Sequence, residues 1–283
     1  MTAALAEGRP IVALETSIVA QGLPAPYNLE AAFGCERAIR EAGAVPATVA
    51  VLDGALRVGM AEAEIRRLAE SGEAVKVSTR DLGAAVALGR SGATTVSATV
   101  RAAGLAGIRF LATGGIGGVH LGHPEDQSAD LFELASTPVA VFCAGAKTVL
   151  DIGLTMERLE SYQVPVLGWQ TDDLPGFYQL RTGHPVTPLA GPEEAARVLR
   201  ANWGLNLKGV VIAVPPRGEL ADAAQLVARA VSEVGEVSGQ SVTPRLLAKV
   251  AELSGGRSLR LNVDLVVNNA RAAAETAVVF ARL

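Results

Sequence analysis

The sequence predicts an α/β protein with a mixed, largely parallel sheet, and three observations carry that prediction. Short apolar runs alternate with segments of helical period along the whole chain, the pattern of strands crossing over through helices. Hydrophobic residues make up 49% of the chain but aromatics only 4%; much of the apolar content is Ala and Val, which suits closely packed helices and strands. One Asp-Gly pair, Asp53-Gly54, sits between two strand-like runs, a hairpin signal because both positions tolerate positive φ.

The elements follow in order. Strands are expected at residues 11–14, 48–52, 75–77, 109–112, 139–142, 165–169 and 209–214, each a short apolar run. The hairpin joins 49–52 to 55–58 and makes the sheet mixed. Helices are expected at 28–42, 61–71, 81–89, 128–135, 155–162, 192–202, 220–234 and 244–253. A long helix should run from about 263 to the C-terminus. No low-complexity linker and no repeat interrupts the series, so residues 1–283 are expected to form a single domain.

Composition excludes several function classes. A chain of 283 residues with mean hydropathy +0.31 can bury a sizeable core. A net charge of −4 does not favour general nucleic-acid binding, which needs a basic surface. No run of 18 or more uncharged apolar residues appears, so no membrane partner is expected. Two cysteines, Cys35 and Cys143, are too few for a disulfide framework. Residues 1–10 lack an apolar targeting core, so the expected location is cytoplasmic.

Ligands in open α/β sheets gather beyond the carboxyl ends of strands. That rule selects Glu15, Lys76, Thr113-Gly114-Gly115 and Lys147. Lys147 follows an apolar strand through the small residues Ala144-Gly145-Ala146. A lysine in an apolar pocket can attack a carbonyl carbon as a neutral amine; a solvated lysine opening the next helix is the competing reading. Glu15 has the position of a buried general acid, or of a cap or surface acid. The run Gly114–Gly118 offers backbone N–H groups to an anion, or is a tight structural turn. Glu125, Asp126 and Asp130, near His120 and His123, offer hard oxygen ligands for Mg²⁺ or Mn²⁺, or charge for a helix N-terminus.

Longer blocks carry a family resemblance. Ala13-Leu14-Glu15-Thr16-Ser17, Gln21-Gly22-Leu23-Pro24, the run from Pro46 to Gly54, Lys76-Val77-Ser78 and Gly92-Ala93-Thr94-Thr95-Val96 open the series. The run from Ala112 to His120, Ser128-Ala129-Asp130-Leu131, Cys143-Ala144-Gly145-Ala146-Lys147, Trp169-Gln170-Thr171-Asp172, Phe177-Tyr178 and Asn268-Asn269-Ala270 complete it. In this order they resemble the pseudouridine-5′-phosphate glycosidases, also called the indigoidine synthase A-like family. The resemblance implies a three-layer α/β/α fold and a homotrimer. It implies Glu15 as proton donor and Lys147 as nucleophile. Lys76, Val96, Ser128, Ala129, Asp130 and one of Asn268 and Asn269 become substrate contacts. Asp126 becomes the ligand of a divalent cofactor, Mn²⁺ or Mg²⁺. Leu121, Gln127 and His123-Pro124-Glu125 depart from the family pattern beside that metal position.

The activity so implied is reversible cleavage of a C–C glycosidic bond in a small nucleotide, through ring opening and a Schiff base on Lys147. Two rival readings stand beside it: another Lys-dependent sugar-phosphate lyase or class I aldolase, and a nucleotide-binding regulator without catalysis. Glu15 and the acid cluster separate the first rival, since a Schiff-base aldolase need not have them. Trapping of an imine on Lys147 separates the second.

Overall fold

The computed structural model describes residues 1–235 and 242–283. In chain order it begins with α1 (Thr2–Ala6), β1 (Ile11–Leu14), α2 (Tyr27–Glu41), β2 (Val45–Leu52), β3 (Ala55–Val58), α3 (Glu62–Glu70), β4 (Val75–Val77), α4 (Leu82–Ala87), β5 (Gly92–Thr94) and α5 (Val96–Leu105). The middle of the chain contains β6 (Phe110–Ala112), β7 (Val119–His120), β8 (His123–Gln127), α6 (Ala129–Ser136), β9 (Ala140–Cys143), β10 (Leu150–Asp151) and α7 (Ile152–Ser161). It ends with β11 (Val166–Trp169), β12 (Thr187–Leu189), α8 (Pro192–Gly204), β13 (Val210–Ala213), α9 (Ala223–Val234), α10 (Val242–Leu253) and α11 (Arg257–Phe280). All seven expected strand runs are present.

The main sheet has the order β12-β11-β13-β9-β6-β1-β2-β5-β4, with β3 added against β2. Its pairings are parallel except β2 with β3 and β2 with β5. The strands at its centre read as unbroken apolar runs because both faces are covered: all four residues of β1, β9 and β13 are buried. Helices α2, α8 and α11 pack on one face and α5 with α6 on the other. This is the three-layer α/β/α arrangement. The Ala-rich composition finds its use here. Ala13, Ala47 and Ala140 in the strands and Ala272, Ala273 and Ala274 in α11 are buried, letting helix and sheet approach closely.

The hairpin forms as expected, with Asp53 at φ 49° and Gly54 at φ 76°. The short elements α1, β5, β10 and β12 were not expected, and three larger features also lie outside the sequence expectation. Residues 96–105 form α5, where no helix was expected. Beginning Val96-Ser97-Ala98-Thr99-Val100, all five buried, it shows no amphipathic stripe. Residues 119–127 form a hairpin, which pairs with β10 as a separate antiparallel sheet. His123-Pro124-Glu125-Asp126-Gln127 has no apolar alternation to announce a strand; pairing with β7 makes it one. The long final helix starts at Arg257, six positions before the expected 263.

Candidate active site

Strands β1, β6 and β9 lie side by side, and the chain leaving each helps to wall a cavity of about 290 Å³. The cavity therefore sits where the topology predicts it, beyond the carboxyl ends of parallel strands.

Glu15 leaves β1 buried, at 6% exposure. Ser17 Oγ donates to one carboxylate oxygen and Thr113 Oγ1 to the other. Thr113 leaves β6, so two adjacent strand ends fix this side chain in one orientation. The surface-acid reading of Glu15 does not hold.

Lys147 is placed by the loop after β9. Its N–H donates to Ile116 O at 3.1 Å and its carbonyl accepts from Leu150 N at 3.0 Å. It is half-buried in the cavity wall, and strand β10 follows it, not a helix. The helix-start reading therefore fails as well. Gly145, at φ +87°, is required here: a Cβ would stand 2.1 Å from Pro175 O. That close approach lets Phe177 N–H bond Ala144 O at 2.8 Å and brings the Phe177 ring against Gly115.

The glycine run serves packing. Its N–H groups at Ile116, Gly117 and Val119 donate to Gly145 O, Asp130 Oδ2 and Thr155 Oγ1. A Cβ on Gly117 or Gly118 would overlap Ser128 or Thr155. Close packing, and not an anion cradle, accounts for those positions.

Lys76 on β4 and Arg80 beyond it also line the cavity. Burial, and then the Lys147 cation, push the Lys76 amine below the ordinary lysine range; Asp130 and Glu15 oppose that shift. Asp130 is a brace. Its Oδ1 accepts from Ser97 N and its Oδ2 from Gly117 N, both at 2.8 Å. Ser128 caps α6 by accepting from Asp130 N at 3.2 Å. Ser128, Ala129 and Asp130 all face the cavity, where the starts of α5 and α6 meet.

The other expected residues separate. The Val96 side chain is buried in the core at 1% exposure, so contact with a ligand would run through its backbone at the start of α5. Asn269 is fully buried and donates to Thr113 O at 2.7 Å and Gly114 O at 3.3 Å, behind the cavity wall. Asn268 lies elsewhere, donating to Pro215 O at 3.3 Å and accepting from Arg217.

The acid cluster disperses. Glu125 stands 3.6 Å from His123 with both exposed, and Asp130 is committed to backbone. Asp126 remains on the cavity, its Oδ2 3.0 Å from His120 Nδ1. Among the described residues no three His, Cys, Asp or Glu side chains converge as a metal cage.

Two wall residues suited to binding a ligand, Arg80 and Asn262, escaped the sequence reading. Asn262 on α11 is buried yet lines the cavity, and its Oδ1 has no hydrogen-bond partner among the described residues. A buried acceptor without a donor is costly, which marks it as waiting for one. Asparagine among Leu and Val in a helix gives no sequence signal of this.

Residues 1–279 match the family described as indigoidine synthase A like protein. The chain is 50% identical over 290 residues to pseudouridine-5′-phosphate glycosidase of Alkaliphilus metalliredigens, covering 99% of this chain and 94% of that one. It is 49% identical over 294 residues to the protein of the same name from Deinococcus radiodurans, with 100% and 94% covered. Among solved structures it resembles an indigoidine synthase A-like protein from Thermotoga maritima, with TM-score 0.91, 34% identity and 96% and 93% of the chains covered. It also resembles the prealnumycin C-glycosynthase AlnA in complex with ribulose 5-phosphate, with TM-score 0.89, 37% identity and 99% and 94% covered.

Proposed function

The chain belongs to the indigoidine synthase A-like family, and from that premise we propose that it reversibly cleaves pseudouridine 5′-phosphate to uracil and ribose 5-phosphate. One observation carries the reading: a buried carboxylic acid held by Thr113 and an amine on Lys147 leave nearby strand ends into one cavity, which Lys76 and Arg80 also line. Near 50% identity over the full length of glycosidases of that name supports it. So does a solved neighbour holding ribulose 5-phosphate, a five-carbon sugar phosphate. The match over residues 1–279 supports a single catalytic unit.

The chemistry explains why an acid and an amine are both needed. A glycosidase with two carboxylates protonates a leaving oxygen, and a C–C bond offers none. Glu15 instead donates its proton to the ribose ring oxygen as the C1′–O4′ bond breaks. Electrons from the uracil ring, which loses the N1 proton, form a C1′=C5 double bond. The Lys147 amine adds to C1′ and returns an electron pair to the ring. C5 takes the proton that the amine sheds on adding, the C1′–C5 pair departs with uracil as N1 regains its proton, and an imine joins Lys147 to C1′. Water hydrolyses it to ribose 5-phosphate. Covalent catalysis divides one difficult cleavage into easier steps. Lys76, Arg80 and the starts of α5 and α6 would hold the phosphate, and Asn262 Oδ1 would accept from a uracil N–H.

A divalent ion, Mn²⁺ or Mg²⁺, belongs to this reading as a single-carboxylate site. Asp126 faces the cavity and keeps 45% of its side chain exposed. Such ions commonly keep most of their waters and take one or two carboxylates plus a substrate phosphate. When bound, the ion would offset negative charge beside the phosphate. A homotrimer in the cytoplasm completes the proposal. No helix among the described residues is long and apolar enough to cross a membrane, and light scattering at three times the chain mass checks the trimer.

The test is direct. Incubation with pseudouridine 5′-phosphate and Mn²⁺ should release uracil, and unphosphorylated pseudouridine should react far more slowly. Release of no uracil under these conditions would remove the proposed substrate.

A further inference from the structure

A helix turns about 100° per residue, so α11 presents different residues to different neighbours. Asn262 and Asn269 serve the cavity side. Arg260, Asp264, Val267, Asn268 and Arg271 share another stripe, and this stripe lines a second, larger groove of about 740 Å³ with α2 and the loop after β13. Four guanidinium groups line it, from Arg37, Arg217, Arg260 and Arg271, against two carboxylates, Glu30 and Asp264. The excess is local, because the whole chain carries −4.

The four arginines are not equivalent. Arg260 is bound to Glu30 at 2.9 Å and lies 5.2 Å over the Tyr27 ring. Arg271 is paired with Glu41 at 3.1 Å. Arg37 and Arg217 have no carboxylate within salt-bridge distance among the described residues. Arg217 is nevertheless held: its Nε donates to Asn268 Oδ1 at 2.8 Å, and Asn268 Nδ2 is anchored on Pro215 O. A neutral amide aims this guanidinium without cancelling its charge. Among the described residues both terminal nitrogens stay uncommitted, the two-donor fork that matches phosphate. The walls are fixed as well. A Cβ on Gly34 of α2 would stand 2.8 Å from Val267 Cγ2, so the two helices meet closely at the groove floor.

We propose that this groove is a second anion site, taking inorganic phosphate or the phosphate group of a small metabolite between Arg37 and Arg217.

Calorimetric titration with inorganic phosphate tests this whatever the identity of the catalytic substrate. The comparison is between the wild type, Arg37→Ala/Arg217→Ala and the cavity variant Lys76→Met, with folding checked by circular dichroism. The wild type should show a binding event that Lys76→Met keeps and that Arg37→Ala/Arg217→Ala weakens by about tenfold or more, given the strength of charge-assisted bonds. Repeating the titration with ribose 5-phosphate on Lys76→Met and on Lys76→Met/Arg37→Ala/Arg217→Ala separates the two sources: binding tighter than phosphate that the groove substitutions remove assigns a sugar-phosphate metabolite, and groove-dependent binding no tighter than phosphate assigns the free ion. Unchanged phosphate binding in the double variant overturns the proposal. A change in sedimentation without a change in phosphate binding also overturns it, and makes the groove a contact between copies of the chain.

Discussion

The two walls of the catalytic cavity are made differently. One consists of strand ends: Glu15 after β1, Thr113 after β6 and Lys147 after β9, all backed by the main hydrophobic core. The other is the β7–β8 hairpin, which belongs to its own three-stranded sheet and carries His120 and Asp126. Glu15 keeps 6% exposure and the Asp126 side chain 45%. Groups that must meet reacting atoms within fractions of an ångström stand on the rigid wall. The carboxylate that would hold the ion, Asp126, stands on the wet one. On the proposed reading the contrast separates the reacting groups, on the main sheet, from the ion ligand, on the hairpin, so substitutions on the two walls should fail in different kinetic parameters.

The largest effect tests the rigid wall. Lys147→Ala should lower kcat by roughly 10⁴-fold or more, the scale of removing a covalent nucleophile. Borohydride added during turnover should leave a reduced sugar-phosphate adduct on the peptide containing Lys147, read by mass spectrometry. Lys147→Arg should fail too, because guanidinium stays protonated. An adduct on Lys76 instead would transfer the nucleophile to β4. Next in size, Glu15→Gln should cost about 10²–10⁴-fold in kcat with little change in substrate affinity, the usual range for a general acid. Near wild-type kcat would move the proton donor elsewhere and dissolve the distinction between the walls.

The wet wall should respond more mildly. Asp126→Asn should raise the Mn²⁺ concentration needed for half activity by about 10–100-fold, as expected for loss of one charge-assisted ligand. Excess Mn²⁺ should restore kcat. Full activity of the wild type in excess chelator would remove the ion from the reading. The smallest effect is a pH dependence. Burial and the Lys147 cation hold the Lys76 amine below the ordinary lysine range, so its charge is lost early as pH rises. KM for the phosphorylated substrate should therefore climb on the alkaline side, and Lys76→Arg should flatten that climb while kcat changes little. A KM profile identical in both proteins would separate Lys76 from the phosphate.

The sequence announced the rigid wall better than the wet one, for a physical reason. Unbroken apolar strands reveal their own ends, and Glu15 and Lys147 are legible because they interrupt such runs. The β7–β8 hairpin is made by pairing; its residues, mostly polar or charged, carry no period of their own. Helix α5 was hidden by the opposite extreme, since burial of five successive residues from Val96 to Val100 erases the amphipathic stripe. Asn268 and Asn269 could not be told apart from spacing, though one helical step sends the first to the arginine groove and the second behind Thr113. Asn262 became visible only when its oxygen was found buried without a partner.

The docking of α11 has a consequence for biosynthesis. Asn269 ties this helix to Thr113 and Gly114, and Asn262 closes the wall in front of it. A nascent chain emerging from the ribosome exposes Glu15 and Lys147 long before residue 262. Such a chain has its acid and its amine but no finished chamber around them. Because the contacts of α11 with β1, β6 and β9 span most of the sequence, closure is a late, non-local event of the kind that slows folding. Activity should then appear abruptly once α11 has emerged, and not grow in proportion to chain length.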